Sequence, residues 1–150
     1  MRLRPVVEAD LEAFYEQQAD PESVELAALP ARSREEHFPH WRKVLVDENT
    51  LARTIDIDGV AAGHIVSFLR DGLEPREVGY WIAREYWGRG VATAALAAFL
   101  EEETRRPLTA GVAIHNIASR RVLEKCGFTV IETLTHPKGD GVDEWHLRLD

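Results

Sequence analysis

Cysteine occurs once in this chain, at Cys126. No internal disulfide can form, which fits a reducing compartment and leads us to expect a cytoplasmic protein. The thiol sits in E-K-C-G-F, just ahead of a glycine placed like a helix end, and reads as a buried, inert side chain because no motif surrounds it. Long apolar runs are also missing: nothing approaches the roughly 18 residues a membrane span requires. The opening M-R-L-R-P-V-V-E-A-D-L-E-A-F carries acids where an export signal needs an unbroken apolar stretch. Basic residues are in deficit, 18 Lys and Arg against 26 Asp and Glu, for a formal net charge of −8. An acidic chain lacks the basic surface on which non-specific nucleic-acid binding depends, while remaining compatible with a cationic acceptor. Metal-ligand constellations are absent as well. His37 and His40 lie three apart on a helical stretch with no third ligand, and read as a solvated or capping pair. There is no repeat, no low-complexity tract and no glycine- or serine-rich linker. The 150 residues, 45% apolar and 29% charged, therefore read as one globular domain over 1–150.

The patterning supplies the elements. Met1–Val6 alternates like a short strand, and Ala9–Ala19 follows as a helix with Leu11, Phe14 and Tyr15 on one face. Ser33 and Glu36 form a capping box ahead of a second helix carrying Phe38, Trp41, Val44 and Leu45 as a stripe. Thr50–Ile57 and Val60–Phe68 flank Asp58-Gly59, a pair suited to a tight hairpin turn. Asp71-Gly72 leads to a strand over Glu77–Ala83, then a W-G-R-G loop, then an alanine-rich helix over Val91–Thr104. Leu108–Ile114 reads as a buried strand and Asn116–Lys125 as a helix stopped by Gly127. Phe128–Thr135 and Val142–Leu149 close the chain as strands around a turn over Pro137–Gly141. The order predicts an α+β fold on a central mixed sheet, mostly antiparallel, flanked by about four helices.

The most informative segment runs from Tyr80 through Trp87-Gly88-Arg89-Gly90-Val91-Ala92-Thr93. An apolar strand enters two glycines, and these enter a helix. A helix N-terminus offers unpaired N–H groups and partial positive charge, and glycines in front of it let an anion approach the backbone. Arg89 adds a full charge, and small Ala92 and the Thr93 hydroxyl suit the same task. The loop is neither a Walker A sequence nor the dinucleotide G-x-G-x-x-G, since Thr93 stands three after Gly90. A pyrophosphate is the natural guest; a plain strand-to-helix turn is the alternative.

This segment resembles motif A of the GNAT (Gcn5-related N-acetyltransferase) superfamily, Q/R-x-x-G-x-G/A. Gly88 and Gly90 match, while Glu85 stands where glutamine or arginine is usual. The stretch E-V-G-Y-W-I with Y-W-G-R-G-V-A-T-A-A-L is similar in particular to the RimJ/RimL branch. So is Asn116-Ile117-Ala118-Ser119 followed by Leu123-Glu124-Lys125-Cys126-Gly127-Phe128, which fits N-x-x-S-x-x-x-x-E-K-x-G-F. The two ends, L-R-P-V-V-E-A-D-L-E and D-E-W-H-L-R-L, extend the likeness over nearly the whole chain.

The resemblance implies a sheet splayed open around acetyl-CoA, used as cosubstrate with no metal. The pantetheine arm would bond the backbone around Trp81, Ile82 and Arg84, and the pyrophosphate would lie on the N–H groups from Trp87 to Thr93. Asn116 and Ser119 would approach the thioester, although Asn116 is equally a sound N-cap. A backbone N–H near Ile82 would hold the oxyanion. Where relatives carry an acidic tyrosine this chain has Leu123, which leaves Ser119 as the hydroxyl near the sulfur or the role empty. Glu77 is the candidate base or, alternatively, an exposed strand-end charge. The implied activity is N-acetylation of a primary amine, on a protein N-terminus or a small molecule. Acceptor contacts would come from Asp20–Arg34 and a hairpin near Pro137. The alternative is a non-catalytic acetyl-CoA-binding module. Relatives often form homodimers, which nothing in this chain specifies.

Overall fold

The computed structural model describes residues 1–136 and 141–150. The expected turn over Pro137–Gly141, Gly141 excepted, lies outside the described residues. Among the described residues seven strands, β1 (Arg2–Pro5), β2 (Leu51–Ile57), β3 (Val60–Arg70), β4 (Leu73–Ile82), β5 (Leu108–Ala113), β6 (Thr129–Leu134) and β7 (Glu144–Leu149), form one sheet in the order β1-β2-β3-β4-β5-β7-β6. The α+β class and the mixed, mostly antiparallel sheet agree with expectation. The predicted Asp58-Gly59 turn forms, with φ of 53° and 83°, and Asp71-Gly72, read as a loop before a strand from Glu77, makes a like turn at 53° and 71° straight into β4 at Leu73. Those positive angles are what a two-residue hairpin turn demands.

The helix count is a correction. Among the described residues there are five α-helices rather than about four: α1 (Asp10–Ala19), α2 (Pro21–Ala27), α3 (Arg34–Val46), α4 (Val91–Glu102) and α5 (Ile117–Lys125), with a 3-10 turn over Arg84–Tyr86. The helix not foreseen is α2, taken from sequence as part of an acceptor loop. Its start has a physical cause. The Asp20 carboxylate accepts from the Ser23 N–H at 3.1 Å, and Pro21 occupies the first turn, where its missing N–H costs nothing. The capping box at Ser33 and Glu36 is present as read.

Helices cover the two faces of the sheet with separate cores. On one face α4 and α5 bring Leu96, Phe99 and Leu123 onto Ile55, Ile65, Val78, Ile82, Leu108 and Leu147. On the other, Leu11 and Phe14 of α1 and Trp41 of α3 pack over Ala52, Ala61 and Val66. Burying a side chain such as Leu96 or Phe99 contributes about 1.5–3 kcal/mol each, so tertiary packing holds α4, and thereby its N-terminus, in place. His37 departs from the solvated or capping role expected of it. It is 1% exposed, and its Nε2 lies 2.8 Å from the Leu11 carbonyl, tying α3 to α1.

The feature that positions the site is the parting of β4 and β5. These parallel neighbours pair only at Arg76 with Leu108 and at Glu77 with Thr109. Beyond that point β4 runs on to Ile82 and β5 to Ala113 without further pairing, which opens a wedge in the sheet.

Candidate functional site

The wedge holds a cleft of about 330 Å³, walled by four elements. From β4 come Tyr80, Trp81 and Ile82. The loop and the first turn of α4 give Trp87, Gly88, Gly90, Val91, Ala92 and Thr93. Helix α5 adds Asn116, Ser119 and Val122, while α2 closes the far side with Ser23, Leu26 and Ala27. The structure thus brings together most of the residues that the sequence singled out, from segments distant along the chain.

Backbone direction makes the β4 wall chemically useful. The Ala83 N–H donates to the Ala62 carbonyl of the β3 side at 2.8 Å. Backbone groups alternate along a strand, so those of Tyr80 and Ile82 turn the other way, into the wedge. The Ile82 carbonyl accepts there from the Trp87 indole N–H at 2.9 Å. Close approach to β3 needs Gly63, where a built Cβ would stand 2.1 Å from the Trp81 carbonyl oxygen.

At the α4 end, Gly88 and Gly90 both have φ of +73°, and a Cβ built on either meets nothing within 4 Å. The space above this loop is open, and the chain conformation is one that glycine adopts without strain. Gly90 is the N-cap, and Ala94 is the first helical residue whose N–H turns back, onto the Gly90 carbonyl at 3.1 Å. The N–H groups of Val91, Ala92 and Thr93 have no partner within the helix and face the positive end of its dipole. Such an end can hold phosphate oxygens through backbone donors alone.

At the α5 end, the Asn116 side chain accepts from the Ser119 N–H at 3.2 Å, the N-cap that the sequence suggested. Ser119 Oγ lies 2.6 Å from the Tyr80 phenol oxygen. Burial pushes the phenol up to about 12, with the Ser119 hydrogen bond pulling the other way. Leu123 is 1% exposed and belongs to the core.

Three expected site residues are not among those lining the cleft. The Arg84 guanidinium reaches Asp20 at 3.2 Å and Glu22 at 2.7 Å, holding the start of α2 against the β4 end. Arg89 stands over the Tyr86 ring at 5.7 Å. Glu77 is gripped by Arg70, whose Nε and Nη2 lie 2.8 and 3.1 Å from its two oxygens. Strand alternation puts Glu77 on the sheet face opposite Tyr80, at the last pair before β4 and β5 separate. Glu85 is exposed and likewise does not line the cleft. The sequence leaves Tyr80 open between a contributor to the site and a polar core residue, and it places the α2 segment on the acceptor side without foreseeing its helix. The signal for Tyr80 was its alternation with Val78 and Ile82, which sends all three to the α5 side.

Comparisons with known proteins agree with this geometry. The family model described as the acetyltransferase (GNAT) domain matches residues 1–129. YdaF of Bacillus subtilis (strain 168), named as a ribosomal N-acetyltransferase, is 37% identical over 101 residues, 63% of this chain and 55% of that protein. The match thus spans about half the length of this curated relative. The structure of spermidine N-acetyltransferase from Vibrio cholerae with CoA and spermine superposes with a TM-score of 0.84 at 18% identity, covering 99% of this chain and 94% of that one. RimL, a ribosomal L7/L12 α-N-protein acetyltransferase in complex with coenzyme A, gives 0.81 at 19% identity over 98% and 92%. At such identities the two structures establish a shared fold.

Proposed function

The chain belongs to the GNAT acetyltransferase family, and from that premise we propose that it moves an acetyl group from acetyl-CoA to a primary amine by direct attack on the thioester. One observation carries the reading. A single cleft has open helix N–H groups at one end, outward-facing strand backbone along its wall, and the Asn116–Ser119 turn at the other. The fit can be tested against the loop itself. Pyrophosphate oxygens need room above Gly88 and Gly90, and a Cβ built on either glycine meets nothing. The outward N–H and C=O groups of Tyr80, with the Ile82 C=O, suit the amides of a pantetheine arm, which would add to β4 as a strand does.

The chemistry follows from this placement. The Ile82 N–H, directed into the wedge, stabilises the oxyanion formed when the amine attacks. Ser119 offers a hydroxyl to the departing sulfur. Glu77, on the opposite sheet face where the strands part, takes the amine's proton through water. An amine is also the group shared by the acceptors named for the relatives, a polyamine in one case and a protein N-terminus in another. The wall supplied by α2 and the segment up to Arg34 is where such an acceptor would enter.

Buried Leu123 favours a second reading, a module that binds acetyl-CoA without turnover. Calorimetric titration with acetyl-CoA, alongside Gly88→Trp, tests the site. Binding lost in the variant supports it, and no binding by the folded wild type refutes both readings. Thiol release across a broad amine panel then separates enzyme from module.

A further inference from the structure

Across the wedge, β4 and α5 are joined by a side-chain hydrogen bond. The Tyr80 phenol oxygen lies 2.6 Å from Ser119 Oγ and 3.3 Å from the Ser119 carbonyl oxygen. A serine hydroxyl has one hydrogen and two lone pairs. When Tyr80 donates to Oγ, the serine hydrogen is left to point elsewhere, and the cleft is the space that Ser119 also lines. The turn that carries Ser119 is fixed independently by Asn116, which accepts its N–H at 3.2 Å. The phenol, pushed up to about 12 by burial, stays protonated and able to donate throughout the neutral range. One turn further along α5, Leu123 is buried and offers no polar group.

We propose that Tyr80 is a positioning residue which, by donating to Ser119 Oγ, aims the serine hydrogen at the sulfur that leaves during acetyl transfer. The inference rests on the N-acetyltransferase reading above. In that step the amine nitrogen bonds to the carbonyl carbon. The carbon–sulfur bond then breaks with its electron pair going to sulfur, and the amine's proton departs by way of Glu77 and water. Neither Tyr80 nor Ser119 gives up a proton. The Ser119 hydrogen bond disperses the charge of the thiolate, and charge-assisted bonds of this kind are the strong ones.

Coenzyme A itself is the probe, so no acceptor has to be known. Its bound thiol is titrated by ultraviolet difference absorbance of the thiolate, with saturation checked by calorimetry, in wild type, Tyr80→Phe, Ser119→Ala and the double variant. The wild-type complex is expected to lower the thiol pKa by about one unit, a tenfold change of the size a charge-assisted hydrogen bond supplies. Each single variant should restore most of that unit, and the double variant should match Ser119→Ala alone. A Tyr80→Phe complex that titrates as wild type overturns the proposal, as does a double variant whose loss is the sum of the single losses. If Tyr80→Phe does not fold, Ser119→Ala still decides: equal titration with wild type means that the serine hydrogen is not aimed at sulfur. Tight binding with an unshifted thiol in the wild type overturns the Tyr80 role alone, whereas no binding at all overturns the acetyl-CoA reading with it.

Discussion

Gly88 and Gly90 allow backbone strain to be separated from loss of a binding surface. Both have φ of +73°, and a built Cβ meets nothing within 4 Å at either. Alanine would therefore fit sterically but would hold a left-handed conformation that costs an L-residue about 1–2 kcal/mol. For a chain of this length each kcal/mol lowers the melting temperature by about 2–4 °C, so each variant should melt about 2–8 °C lower. Gly72, at φ +71° and equally open, sits in the β3–β4 turn away from the cleft and supplies the control. Gly72→Ala should lose the same stability. For acetyl-CoA the three should diverge. A methyl group above Gly88 or Gly90 holds phosphate oxygens off the N–H groups of the α4 start, and each charge-assisted bond lost is worth about 1.5–3 kcal/mol. Dissociation constants should thus rise at least about tenfold for Gly88→Ala and Gly90→Ala and stay unchanged for Gly72→Ala. Calorimetry for affinity and thermal melts for stability read the two effects separately. A loss of about 1–2 kcal/mol from the 5–15 typical of a domain leaves every variant folded, so weaker binding cannot be blamed on unfolding. Equal affinities across the three variants would refute the cradle, and unchanged melting would refute the strain argument.

Three other outcomes follow from the geometry. Glu77→Gln should slow thiol release most at low pH, where the amine is protonated, and approach wild type at high pH; a profile parallel to wild type removes Glu77 as the base. Leu123→Tyr places a larger side chain in a filled core, so denaturant titration should show a loss of about 1–3 kcal/mol, and thiol-release assays no gain in turnover. His64 packs against Phe14 at 4.9 Å and Trp41 at 4.7 Å, and burial pushes its pKa down to about 3. The unfolded chain takes up that proton first, so the stability His64 contributes is intact above its ordinary pKa of 6.5 and is lost as pH falls toward 3. The slope is about 1.4 kcal/mol per pH unit for one proton. His64→Phe should flatten this part of the acid limb in urea titrations at a series of pH values, and an unchanged slope would assign it elsewhere.

What could be read in the sequence was decided by local chemistry, and what could not depended on where elements dock. The Asp-Gly turns, the Ser33–Glu36 capping box and the glycine loop before α4 each impose their conformation within a few residues, so composition and spacing were enough. Helix α2 has seven residues, Pro21 the first of them, too few for a 3.6-residue period to declare itself, and its tie to Arg84 exists only once β4 has been laid beside it. His37 looked solvated or capping because the Leu11 carbonyl that receives it belongs to another helix. Glu77 stayed open between a candidate base and an exposed strand-end charge because its partner Arg70 lies across a hairpin, and the register that pairs Phe68 with Glu77 decides whether the two meet. The Tyr80–Ser119 bond spans 39 positions and requires α5 to dock over the wedge. Apart from that of His37, these non-local contacts lie around the parting of β4 and β5, because a sheet that opens leaves its flanking side chains to find partners on other elements. What the sequence left open is therefore the side-chain partnering around the cleft rather than the residues that line it, and the loop that can hold the anion, being self-contained, was the easiest.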